Sequence, residues 1–125
     1  PVLSMTGTRD ASLVFRTTVA NRRRPFERIH RGDQYLVTID DAVHRTFADL
    51  ETEHDAMEAG RLDGPPGPQT RPPGGAEHQA HLGIIRGVTL AFWDAMLRGD
   101  AEAMKWLREG GAEKALGAAA RFEKK

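Results

Sequence analysis

Only two stretches of this sequence read as β-strands, and both are short. Val2 to Met5, "VLSM", is an apolar run bounded by Pro1 and Gly7. A continuous run of that kind fits a strand covered on both faces, as in a parallel sheet. Tyr35 to Ile39, "YLVTI", is β-branched and aromatic and ends on the polar pair Asp40-Asp41. The other periodic stretches are helical. Two short parallel strands cannot make a stable sheet beneath helices, because their edges lack partners and their apolar area is too small. The expected fold class is therefore α/β: residues 1–125 are the C-terminal fragment of a larger domain, holding its last two parallel strands plus flanking helices in an incomplete sheet.

The helical readings follow from spacing. Asp10 to Arg24, anchored by Leu13, Val14 and Val19, predicts a short helix that stops before Pro25, since a residue preceding proline is pushed out of the helical region. Arg31-Gly32-Asp33 is a turn, as is the second Arg-Gly-Asp at 98–100. Ala48 to Leu62 has helical composition. Residues 64–75, "GPPGPQTRPPGG", form a long surface loop inside one domain. The strongest helix is Ala76 to Arg98, where Leu82, Ile85, Val88, Phe92 and Met96 recur three and four apart. Phe92, Trp93 and Met96 belong to that core stripe. Gly83 and Gly87 lie on a second face. They are expected to let a neighbour approach closely, at a propensity cost of about 1 kcal/mol each. Gly99 stops this helix, Asp100 caps the next one over Ala101 to Glu109, and Gly110-Gly111 ends that. The Ala-rich tail, 112–125, reads as a last helix that frays.

Composition excludes several function classes. Lys plus Arg equals Asp plus Glu at 18 each, so no global field draws in nucleic acid or an anionic membrane. The basic run "NRRRPFER" lacks interleaved aromatics and reads as a solvated helix end. Cysteine is absent, which removes disulfides and thiolate chemistry. No apolar run approaches the length of a membrane span. The compartment, cytoplasmic or secreted, and the oligomeric state stay open.

In open α/β sheets, functional groups gather beyond the carboxyl ends of the strands. Asp10 lies just past the first strand and His44 just past the second. Side chains so placed can meet. The carboxylate then holds one imidazole nitrogen as N–H and leaves the other free as a general base. Acid before histidine is the chain order of an α/β-hydrolase, whose nucleophile sits earlier on a G-x-S-x-G elbow. No such elbow occurs here; the only serines are Ser4, inside the first strand, and Ser12. The nucleophile is expected upstream. Thr46 and Phe47 follow His44 and are candidates to line a substrate pocket, although Phe47 could equally plug the core. Asp10 could instead cap the following helix. His78 and His81, three apart beside Glu77, have the spacing to share a metal. No further ligand is identifiable, so no metal is expected. His30 and His54 read as solvated.

Three blocks carry a resemblance: "PVLSMTGTRD", "RRRPFERIHRGDQYLVTIDDAVHRTFAD" and "HLGIIRGVTLAFWDAMLRGD". Together, from Pro1 to about Arg108, they resemble the C-terminal part of α/β-hydrolases of the predicted dienelactone-hydrolase type. These are close to esterases resembling platelet-activating-factor acetylhydrolase, chlorophyllase and bacterial polyester hydrolases. In that family a proline, an apolar strand and G-T-x-D carry the triad acid, which falls on Asp10. A strand followed by G-A-x-H carries the triad histidine, which falls on His44, with Asp41 standing where glycine is common. The block T-x-A-F-W-D-A-x-L-x-G-D is a packing element. The resemblance implies cleavage of a small-molecule carboxylic ester by an upstream serine, without metal or organic cofactor. The alternative is a non-catalytic hydrolase-like fragment with a structural or binding role.

Overall fold

The structure is a computed structural model that describes residues 1–11, 16–48 and 76–125. Its elements are β1 (Val2–Gly7), α1 (Val19–Arg28), β2 (Gln34–Ile39), a 3-10 turn (His44–Ala48), α2 (Ala76–Leu97), α3 (Ala101–Arg108), α4 (Gly111–Leu116) and β3 (Ala120–Lys124). They form a small mixed α/β domain around a three-stranded sheet in the order β1-β2-β3. β1 and β2 are parallel, with Val2 opposite Gln34 and Gly7 opposite Ile39. Both strands read from the sequence are present. β2 is the central strand, and Tyr35, Leu36, Val37 and Ile39 are buried. Val2 to Met5 are only half-buried, not covered on both faces as expected, because β1 lies at the edge of the sheet.

β3 is a correction to the sequence reading. The tail read as a frayed helix instead forms α4, a break, and a strand antiparallel to β2 with Tyr35 opposite Lys124 and Ile39 opposite Ala120. Gly117 ends α4 with a φ of 54°. Phe122 then enters the core, its ring centroid 5.9 Å from Tyr35 and 6.5 Å from Trp106. Tertiary packing overrides the helical propensity of the alanines.

α1 also differs from expectation. It starts at Val19, where Thr18 caps it by accepting the Asn21 N–H at 3.2 Å. It runs through Pro25 to Arg28 instead of stopping before the proline. Pro25 removes one intrahelical hydrogen bond; the buried Phe26 ring and the Arg23–Glu123 pair described below hold the last turn in place. The expected helix at Ala48 to Leu62, apart from Ala48, and the loop at 64–75 lie outside the described residues, as do Leu13 and Val14.

The helices divide between the two faces of the sheet. On one face Tyr35, Val37 and Ile39 pack with Val88, Phe92 and Ala95 of α2, Leu107 of α3 and Ala112 of α4. Tyr35 meets Phe92 edge-on at 6.0 Å. On the other face α1 lies over Leu36 and Thr38. There Arg23 makes a two-pronged ion pair with Glu123 of β3 at 2.7 and 3.0 Å, and the Lys125 ammonium sits 4.8 Å from the Phe26 ring centroid. Gly83 and Gly87 do not mediate the close approach expected of them. They lie on the outer side of α2 with the exposed Leu90 and Leu97, and an added Cβ at either would meet nothing within 4 Å. Among the described residues, no helix is long and apolar enough to cross a membrane.

Candidate functional site

The carboxyl ends of β1 and β2 lie side by side, and a glycine decides how closely the chain beyond them can pack. A Cβ on Gly7 would stand 1.9 Å from the Ala42 carbonyl oxygen, a clash no side chain could relieve. Gly7 therefore lets the segment after β2 fold across the end of β1. Main-chain hydrogen bonds fasten that crossing. The Thr8 N–H donates to Ile39 at 2.9 Å, and the Arg9 N–H donates to Ala42 at 3.1 Å. Thr8 braces the turn from the side. Its hydroxyl accepts the Asp41 N–H at 2.9 Å and donates to the Asp40 carboxylate at 3.2 Å. Asp41 has a φ of 55°, the left-handed region where glycine is least strained.

This arrangement delivers Asp10 and His44 to each other. His44 Nδ1 lies 3.1 Å from Asp10 Oδ1. Asp10 is only 3% exposed, whereas the His44 side chain is 44% exposed. The second carboxylate oxygen, Oδ2, accepts the Thr6 hydroxyl at 2.9 Å. Arg22, from α1, brings Nε to 3.4 Å from Oδ1. Asp10 is not the cap of α1, whose N-cap is Thr18. A carboxylate at Nδ1 selects the tautomer with the proton on that nitrogen, which leaves the Nε2 lone pair as a base. The pair can thus accept a proton at Nε2 and stabilise the imidazolium that results.

Thr46 and Phe47 share the 3-10 turn of His44. Thr46 is buried, and its hydroxyl accepts the Val43 N–H at 3.1 Å, closing the 3-10 turn that begins at His44. Phe47 is partly buried and packs against the apolar core. Ser4 sits mid-strand opposite Leu36, and Ser12 lies outside the described residues. His78 and His81 both lie on α2; among the described residues no group of three or more His, Asp or Glu is placed to hold a metal ion. The His81 imidazole sits instead against the Asp40 turn. Burial pushes it below its ordinary value; a hydrogen bond to the Asp40 main chain opposes that.

Sequence reasoning missed Thr6, Thr8 and Arg22. The threonine pair flanking Gly7 in "TGT" was a usable signal, because a hydroxyl just before or after a strand-end glycine faces whatever the next loop carries. Arg22 was hidden in a basic run that reads as solvent-facing. Comparison with protein-family models, curated proteins and solved structures returns no match.

Proposed function

We propose that this chain supplies the acid and the base of a serine hydrolase acting on carboxylic esters. The observation that carries the reading is the pairing of a buried Asp10 with a half-exposed His44 at adjacent strand ends. A buried, multiply bonded carboxylate orients; a half-exposed imidazole, its Nδ1 held by that carboxylate, can present Nε2 to something outside the fold. The chain order, acid then histidine, and the resemblance of the three sequence blocks support the same class. The outer edge of β1 pairs with no strand among the described residues. A preceding strand of the same sheet, bearing the nucleophile, would add there.

In this mechanism the serine hydroxyl, on a segment preceding Pro1, attacks the ester carbonyl. His44 Nε2 takes its proton and then returns it to the leaving alcohol. Asp10 keeps the proton on Nδ1 and stabilises the imidazolium in between. Main-chain N–H groups beside the nucleophile would hold the oxyanion. A polypeptide extended upstream of Pro1 is assayed with a chromogenic short-chain ester. His44→Ala and Asp10→Asn are each expected to lower kcat by about 10⁴-fold or more while leaving KM within a few-fold. An extended polypeptide that shows no ester cleavage, or equal turnover in native and His44→Ala forms, would falsify the reading and leave a structural pair.

A further inference from the structure

We infer that Arg22 is a positioning residue that sets how firmly Asp10 grips His44; this rests on reading Asp10 and His44 as acid and base. Asp10 Oδ1 is shared. His44 Nδ1 approaches it at 3.1 Å and Arg22 Nε at 3.4 Å. Oδ2 is occupied by the Thr6 hydroxyl at 2.9 Å. Arg22 Nε and Nη2 are buried and find no hydrogen-bond acceptor among the described residues. Burying guanidinium donors unbonded is unfavourable. The helix would not gain from placing Arg22 there for its hydrogen bonds, so what holds it is charge: a cation facing a carboxylate that is itself out of water. The adjacent Arg23 shows the contrast, with a two-pronged bond to Glu123. Of two consecutive arginines on α1, one anchors the helix and the other attends the acid.

The consequence follows from Coulomb's law. An isolated Asp10 would put its full negative charge on the imidazole and favour the imidazolium. A guanidinium, which stays protonated at any working pH, cancels part of that field because it sits on the same oxygen. His44 thereby faces a carboxylate whose charge is partly balanced by the guanidinium on the same oxygen. Among the described residues, other charged or titratable groups at this end of the sheet include Arg9, Asp40 and Asp41 from the strand ends and His78 and His81 from α2. They are the same in native and variant chains, so a change at Arg22 is read against a constant background.

The test reads the imidazole, not turnover. In the 125-residue chain, nitrogen–proton correlation spectra of the histidine rings give the ratio of imidazolium to imidazole at His44 at a fixed pH near neutrality. Arg22→Gln is expected to raise that ratio about three- to tenfold. Arg22→Lys keeps the charge and is expected to leave it within about twofold of native. Asp10→Asn, with Arg22 retained, leaves the cation unopposed and should lower the ratio below that of histidine in an unstructured peptide. In the extended polypeptide the acid limb of the pH–rate profile should move to higher pH in Arg22→Gln. An unchanged ratio in folded Arg22→Gln overturns the inference, as does a lysine variant that behaves like the glutamine one. If the glutamine variant does not fold, the Asp10→Asn ratio decides: a value at or above the peptide's sinks the coupling. A ratio that moves as expected in a protein that cleaves no ester keeps the Arg22 coupling and removes only its catalytic purpose.

Discussion

On one face of the sheet Tyr35, Val37 and Ile39 meet Val88, Phe92, Ala95 and Leu107, a layer built of apolar and aromatic side chains. On the other face α1 is fastened by Arg22 on Asp10 and by Arg23 on Glu123, with Phe26 its buried apolar side chain. The difference is one of directionality. Apolar burial stabilises in proportion to area and does not care about angles. Ion pairs and hydrogen bonds add less net stability but fix distances and orientations. The domain thus draws its cohesion from the α2 side and its geometric precision from the α1 side, and Asp10 sits on the side that is precise. If that division is right, substitutions on the two faces should fail in different ways.

The largest effect is expected on the apolar face. Phe92 is 4% exposed and touches Tyr35 and Trp93 edge-on. Phe92→Ala should destabilise by about 3–5 kcal/mol, measured by urea unfolding at neutral pH. The loss should be nearly independent of pH and salt, because no charge is involved. A loss under about 1 kcal/mol would mean that α2 is not the main source of cohesion.

Breaking the charged face should be milder and conditional. Arg23→Ala strands the partly buried Glu123 carboxylate, and should destabilise by about 1–3 kcal/mol at pH 7. The hydrogen bond from Arg23 holds that carboxyl below its ordinary 4.5, and burial opposes the shift. A depressed folded value means the contribution is fully present above the unfolded value and disappears as pH falls through the folded one. The stability gap between native and Arg23→Ala should therefore close in acid, below about pH 4. The paired replacement Arg23→Met with Glu123→Leu should be close to neutral, since it removes both charges at once. A double variant as unstable as the single one would show that the bond's direction, more than its charge balance, seats α1.

How much of this was visible in the sequence depends on which kind of force acts. The two parallel strands and α2 were legible because burial writes periodic apolar patterns into the chain. Asp10 and His44 were legible from their places just past strand ends. β3 was not, because "ALGAAARFEKK" has the composition of a helix, and pairing with β2 together with the distant partners of Phe122 and Glu123 makes it a strand. Pro25 misled for a related reason: its local penalty is real, but long-range contacts of its neighbours outweigh it. Gly83 and Gly87 showed a spacing whose partner does not exist among the described residues, whereas Gly7, unremarkable as a strand terminator, is the glycine on which the site depends. Arg22 and Arg23 looked alike in sequence, and only the tertiary fold gives them different partners.

His81 tests the boundary between the two regimes, since it stands on the apolar-side helix yet contacts the turn that leads to His44. Burial holds its imidazole below 6.5, and the nearby His78 works in the same direction; the Asp40 main chain and the Asp41 and Asp40 carboxylates pull the other way. A histidine whose folded value is depressed binds its proton more readily when unfolded. Native stability is therefore complete above about pH 6.5 and falls as the pH drops from there toward the folded value, because the unfolded chain is protonated first. His81→Gln removes that proton uptake and retains an amide donor for the Asp40 carbonyl. The variant should differ from native by under about 1 kcal/mol above pH 7, and its stability should decline less between about pH 7 and 5.5. Urea unfolding at those two pH values measures the slopes directly. Equal slopes would show that His81 does not set the pH dependence of stability in this range, and would make it part of the apolar layer in the same sense as Phe92.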